Sequence, residues 1–194
     1  MTDTRTAITL MGVLPLLGGT GLLVTAISIG LAGFAVLGLC GLLLMPLRRV
    51  LQGHALSFAA LLLGSILVSV AALVLQMHSS ELFNHLMPYL PLLVLPCLGL
   101  ALDTHATARS GLMTGLLFAA LALPLGLLRE GLGNATLLLH SDWLLGPAAA
   151  GWHLSLGTLN GVHLLTLAPG AFILLGLLLA GFRYFRHLHH DDRP

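Results

Sequence analysis

Two cysteines, an adjacent arginine and glutamate, and a histidine-rich tail are the groups in this 194-residue sequence whose types and spacing can do chemistry. Cys40 and Cys97 are its only thiols, and a thiolate is both a nucleophile and a soft-metal ligand. They fall on different apolar stretches with no spacing signature, so no disulfide is expected between them. His187, His189 and His190 beside Asp191 and Asp192 have the donor types of a metal site, although such a run reads first as a solvated tail. Arg129-Glu130 is followed by Gly131 and Gly133. A basic residue suits the negative end of a helix and glycine stops one, so helix termination accounts for this group. There is no Walker phosphate loop, no HExxH zinc motif and no GxSxG elbow.

The elements that position these groups must lie in a membrane. Apolar residues make up 57% of the chain and charged residues 8%, against about 25% charged in a soluble domain. Residues 7–47, 54–77, 86–102, 110–128 and 161–182 are nearly free of ionisable groups, and a crossing helix needs about 20 residues. The first run is about 60 Å long as a helix, twice the hydrocarbon thickness, so it must cross twice. Gly18-Gly19-Thr20-Gly21 is the natural break, because glycine tolerates a tight reversal. Six crossing segments are therefore expected, in a single membrane domain over residues 1–194. Met1 to Ala7 lacks a strongly basic start, so no cleaved leader is expected.

Formal net charge is +1 and all eight basic residues are arginines, which leaves neither a nucleic-acid footprint nor a polybasic lipid-binding arm. With six crossings, Arg129 alone falls on one side and the other seven arginines on the opposite side. The positive-inside rule then predicts cytoplasmic termini in a bacterial inner membrane. Every carboxylate sits at a segment end or in a loop (Asp3, Glu81, Asp103, Glu130, Asp142, Asp191, Asp192). A stand-alone carrier coupled through a mid-membrane carboxylate is therefore not expected. His54, His105 and His163 lie near segment ends, and Trp143 and Trp152 fit a loop at headgroup level.

An internal repeat appears at an offset of 81 residues. Val13-Leu14-Pro15-Leu16-Leu17-Gly18 returns as Val94-Leu95-Pro96-Cys97-Leu98-Gly99, Gly30-Leu31 as Gly111-Leu112, and Leu47-Arg48 as Leu128-Arg129. Three crossings per repeat would invert one half relative to the other. Pro15 and Pro96 then fall near the middle of the first crossing of each half, and both helices are expected to break there, from about 7–77 in the first repeat and 86–184 in the second.

Three stretches carry a family resemblance. Leu90-Pro91-Leu92-Leu93-Val94-Leu95-Pro96-Cys97, Leu128-Arg129-Glu130-Gly131-Leu132-Gly133-Asn134-Ala135-Thr136-Leu137 and Leu167-Ala168-Pro169-Gly170-Ala171-Phe172-Ile173 resemble the membrane subunits of the Rnf and Nqr complexes, on the E-type side of that family. The resemblance implies an all-α fold of six transmembrane helices in two inverted three-helix repeats. It also implies a place beside an A-type sister subunit in an ion-translocating ferredoxin:NAD oxidoreductase. In that family each of the two sisters offers one cysteine from each broken helix, and four thiolates hold a shared [2Fe-2S] cluster.

This chain departs from the pattern. Cys97 matches the second family cysteine, although Pro96 stands where asparagine is common. The first lies in Gly-Leu-Cys-Pro, and here Gly12-Val13-Leu14-Pro15 puts Leu14 at the ligand position. The resemblance thus makes Cys97 the one cofactor-binding and iron-ligating residue. Cys40, in Leu37-Gly38-Leu39-Cys40, imitates the motif but lies on what should be a continuous helix, and is read as a small buried hydrophobe. Three roles stay open: a cluster-sharing subunit whose missing thiolate comes from elsewhere, a cluster-free scaffold of the same complex, and a small independent transporter.

Overall fold

The runs without ionisable groups become helices. The computed structural model describes residue 12 and residues 14–103, 107–146, 154–155 and 165–188. Among these, α1 covers Leu14–Gly19, α2 Leu23–Val50, α3 His54–His78, α4 Ser80–Leu86, α5 Val94–Leu102, α6 Ala108–Gly133, α7 Asp142–Leu145 and α8 Ala168–Leu188. A 3-10 turn at Leu90–Leu93 leads into α5. The only pairing of extended chain among the described residues is two residues long, β1 (Thr136–Leu137) against β2 (Leu154–Ser155), antiparallel.

Two chain breaks shape the molecule. The first separates α1 from α2 at Thr20–Leu22, next to the glycines expected to reverse the chain. The second lies between α4 and the 3-10 turn, where the helical path bends by 65°. Pro15 and Pro96 both lie in the first turn of a short helix, α1 and α5. A first-turn residue has no intrahelical partner for its amide, so proline costs nothing there and its fixed φ favours starting a helix. The second break is built ahead of Pro96, through Met87–Leu93.

The centre of the fold is the pair α2 and α6, which lie against each other along their lengths. Small residues permit the approach. Gly30 of α2 faces Ala119 and Ala122, Gly111 of α6 faces Gly41 and Leu37, Gly115 faces Phe34, and Gly126 faces Ala26. Positions rise along α2 as they fall along α6, so the two helices are antiparallel. Close contact through glycine and alanine is the expected packing mode in lipid, where apolar burial between helices gives little driving force.

Around this pair pack α1, α3, α4 and α5, with Leu16, Ile29, Leu37, Leu44, Leu82, Leu86, Leu90 and Leu93 in the shared core. Helix α3 turns Ala60, Gly64 and Val68, four residues apart, inward. Its opposite side exposes Phe58, Leu62, Ile66, Val70, Leu73 and Met77, the apolar exterior a bilayer requires. Among the described residues, three helices are long and apolar enough to cross a membrane: Leu23–Val50, His54–His78 and Arg109–Gly133. The bent pair Ser80–Leu86 and Leu90–Leu102 makes a fourth if it counts as one span. The apolar part of α8, Pro169–Gly181, is shorter than a crossing. The chain is thus a helical, multi-pass membrane protein, with three to four such candidate spans among the described residues.

Candidate functional site

The two cysteines, unrelated by any spacing in the sequence, meet in the core. Cys40 lies in the second half of α2 and Cys97 in the first turns of α5, and both are 0% exposed. They belong to one buried cluster, with no disulfide between them. Gly64 of α3 covers the pair: a Cβ built there would stand 3.2 Å from Cys97 Cβ and 3.6 Å from its Sγ. A larger residue at 64 would push Cys97 away. Leu14, at the position matched to the first family cysteine, is 41% exposed at the start of α1. The sequence offered no signal for the Cys40–Cys97 encounter, because it depends on how α5 folds back over α2 after the bend.

The second cluster is Arg129 and Glu130. They do lie in the last turns of α6, but terminating that helix is not what their side chains do. Arg129 is 3% exposed and Glu130 0%. The Arg129 guanidinium donates through Nη1 to the Leu17 carbonyl at 2.8 Å and to Thr20 Oγ1 at 3.4 Å. Through Nη2 it donates to the Thr166 carbonyl at 2.8 Å, and through Nε to the Leu165 carbonyl at 3.4 Å. The Glu130 carboxylate accepts from the amide of Leu23 at 2.5 Å and of Leu139 at 2.6 Å.

The logic is that of helix ends. The carbonyls closing α1 carry partial negative charge and receive a cation, while the first amide of α2 carries partial positive charge and receives an anion. Neighbours in sequence thus secure the two sides of one chain break. Burying both charges is tolerable because each is surrounded by peptide groups oriented to it. A second arginine reaches the end of another short helix: Arg48 Nη2 donates to the Leu100 carbonyl, near the C-terminal end of α5, at 2.6 Å.

Beside the first break is a cavity of about 330 Å³ lined by Gly18, Gly19, Thr25, His85, Tyr89 and Arg129, among others. Its outer edge includes a ring stack that sequence reading missed. The indole of Trp143 lies between His85 and His140, with centroids at 4.6 and 4.4 Å. Trp143 is therefore held by stacking on two imidazoles. His54, expected near a segment end, is exposed at the first residue of α3. The His187 side chain, His189, His190, Asp191 and Asp192, and likewise Trp152, His105 and His163, lie outside the described residues. Among the described residues no three His, Cys, Asp or Glu side chains gather as a metal site.

Comparison with known proteins agrees with this architecture. Residues 1–179 match the family described as Rnf-Nqr subunit, membrane protein. The E subunit of an ion-translocating oxidoreductase complex from Pseudomonas aeruginosa (strain LESB58) is 36% identical over 181 residues, covering 88% of this chain and 76% of the relative. The protein of that name from Shewanella amazonensis is 35% identical over 181 residues, covering 89% of this chain and 78% of the relative. One from Thioalkalivibrio sulfidiphilus is 33% identical over 181 residues, covering 88% and 79%. With the family match spanning nearly the whole chain, this protein belongs to the Rnf-Nqr family of membrane subunits.

Proposed function

We propose that the chain is the E-type membrane subunit of an Rnf-type ion-translocating ferredoxin:NAD oxidoreductase in a bacterial inner membrane, with both termini cytoplasmic. The observation that carries this reading is the 181-residue similarity to proteins named as E subunits of an ion-translocating oxidoreductase complex. Its partners are then a sister of the A type and the other members of the complex, and the chain holds no complete active site of its own.

The proposal includes two inverted repeats. What supports it is the packing of α2 on α6. Shifting Gly30 and Ala122 by the 81-residue offset gives Gly111 and Gly41, and each of these is a facing pair. Phe34 and Gly115, also facing, exchange with each other under the same shift. Contacts that map onto themselves are those expected about a two-fold axis in the membrane plane.

The finer part of the proposal is a [2Fe-2S] cluster shared with the A-type sister, with Cys97 as a ligand. Such a cluster takes four thiolates and passes one electron at a time. What supports Cys97 is its match to the second family cysteine. A cluster-free scaffold of the same complex is the second reading, favoured by Leu14 at the matched position. Affinity purification of the tagged chain from its native membrane tests the assignment. The expected result is a multi-subunit assembly with ferredoxin:NAD oxidoreductase activity, and a chain that purifies alone as an active carrier would reject it.

A further inference from the structure

Three features have no part in the function proposed so far: the apolar outer face of α3, the histidine–tryptophan stack, and the cavity at the first break. The cavity carries an inference furthest, because a buried charge forms part of its wall. We infer that it is a binding site for a phosphate-class oxyanion, either the head of an anionic lipid or free phosphate. The inference does not depend on how the chain handles iron.

The lining includes a guanidinium (Arg129), an imidazole (His85) and a phenol (Tyr89), and it includes no carboxylate. Arg129 is 3% exposed, yet each acceptor it meets among the described residues is neutral: the carbonyls of Leu17, Leu165 and Thr166 and the hydroxyl of Thr20. Oriented carbonyls solvate a cation without cancelling its charge, and a charge held away from water favours an ion of opposite sign beside it. Glu130 does not take that place. Its two oxygens are held by the amides of Leu23 and Leu139, and it is no part of the cavity wall. A guanidinium has five N–H groups. Two at Nη1, one at Nη2 and the one at Nε are used, which leaves one N–H of Nη2 for a ligand oxygen. Arginine is well suited to phosphate oxygens, being planar, permanently charged and weakly hydrated.

The Tyr89 ring covers Gly18, next in sequence to the Leu17 whose carbonyl Arg129 binds, so phenol and guanidinium are held close together. The Tyr89 hydroxyl and the His85 ring can each donate to a second oxygen of the same anion. His85 and Leu167, at the rim, are exposed, so a ligand can enter from outside. The volume of about 330 Å³ falls at the lower end of small-molecule sites, about 300–1,000 Å³, with room for a phosphate and its ester substituent. His85 also stacks on Trp143, and indoles gather at headgroup depth, which favours a lipid as the source.

The competing account is a water-filled cavity beside a purely structural arginine. Because Arg129 also holds the break together, the test leaves it in place. Tyr89→Phe keeps the ring over Gly18 and removes only the hydroxyl. A Cβ at Gly21, also in the lining, meets nothing within 4 Å, so Gly21→Leu puts bulk into the space without a clash at its Cβ. Wild type and both variants, purified with their native partners, are placed in phosphatidylcholine vesicles containing sub-saturating photoreactive phosphatidylglycerol, or photoreactive phosphatidylcholine as control. Crosslinked peptides are located by mass spectrometry, and binding of radiolabelled inorganic phosphate is measured by equilibrium dialysis.

For a lipid head, phosphatidylglycerol labels residues 17–25 and 85–89 in preference to phosphatidylcholine, and excess inorganic phosphate does not compete. The labelling falls at least about tenfold in Tyr89→Phe, the weight of one hydrogen bond to a charged group, and is lost in Gly21→Leu. For free phosphate, the dialysis shows one bound ion per chain, abolished in Gly21→Leu, with no lipid preference. Equal labelling by the two lipids with no phosphate bound, or labelling unchanged in both variants, would overturn the inference. If the variants do not assemble, the wild type still decides: label confined to the outer face of α3, with none at 17–25 or 85–89 and no phosphate bound, refutes the site.

Discussion

Arg129 donates to the carbonyl of Leu17 at 2.8 Å, and Arg48, its counterpart 81 residues earlier, donates to the carbonyl of Leu100 at 2.6 Å. Each arginine stands near the C-terminal end of a long helix, α6 or α2, and reaches a short helix in the opposite half of the chain, α1 or α5. The short helices carry the candidate ligand positions 14 and 97. Long helices therefore act as frames, and arginines at their ends set where the short ones lie.

The two arginines should differ in energetic weight. Arg129 is almost fully enclosed, whereas Arg48 is only half-buried. Arg129→Met leaves the Leu17, Leu165 and Thr166 carbonyls without their donor, at about 1–3 kcal/mol for each buried group left unpaired. A loss of about 3 kcal/mol corresponds to roughly 6–12 °C in a chain of this size. Arg48→Met lets water reach the Leu100 carbonyl and should cost about 1 kcal/mol or less. Thermal unfolding of the purified protein in detergent checks the order; equal shifts would reject it.

Glu130 gives a graded prediction. Its carboxylate accepts from Leu23 and Leu139, two amides from different segments. Glu130→Leu strands both amides in an apolar site and should cost about 2–5 kcal/mol. Glu130→Gln keeps one oxygen acceptor but turns an NH2 towards the other amide, so the loss should be intermediate. Amide hydrogen exchange is the more local measurement, and the Leu23 and Leu139 amides should lose protection first.

Gly18, just before the first break, and Tyr89, at the second, make a coupled pair. A Cβ at Gly18 would fall inside the Tyr89 ring, so Gly18→Ala must displace that ring or α1. Expected destabilisation is about 1–3 kcal/mol, the usual cost of overpacking. Tyr89→Ala should relieve it, so the double variant loses less than the sum of the single ones. Additive losses would mean that Gly18 is needed for its backbone and not for this contact.

Much of this frame is legible in the sequence, and the misses have identifiable causes. The apolar runs mark the helices, and Gly18 to Gly21 mark the first break, because both depend on local composition. Pro15 and Pro96 read as breakers since proline forbids a helix interior; only the fold shows that they stand at first turns. Arg129 and Glu130 look like a helix end because they are near one. Their actual partners, Leu17 and Leu23, are more than 100 residues away in sequence. Cys40 reads as inert for lying on a continuous helix, which α2 indeed is. Its meeting with Cys97 is a tertiary event that no spacing rule encodes. Hydropathy alone points to six crossings; among the described residues three to four meet the length and composition of a span, because one is bent before α5 and the apolar part of α8 is short.

The antiparallel contact of α2 with α6 can be tested at single glycines, where packing and helix propensity pull in opposite directions. Replacing glycine by alanine inside a helix favours the helix by about 0.8–1 kcal/mol where there is room. At Gly176 of α8 a new Cβ meets nothing within 4 Å, so Gly176→Ala should be neutral or slightly stabilising. At Gly111 the Cβ would stand 2.6 Å from Gly41 Cα and 3.0 Å from the Leu37 carbonyl oxygen. Both obstacles are backbone and cannot rotate aside, so α6 must move off α2 along its length. Gly111→Ala should therefore cost about 1–3 kcal/mol despite its better propensity. Gly30→Ala, whose Cβ would lie 3.4 Å from Ala122 Cβ, should fall between the two. The ranking Gly176, Gly30, Gly111 in thermal unfolding distinguishes close backbone packing from a general intolerance of alanine, which would make all three alike.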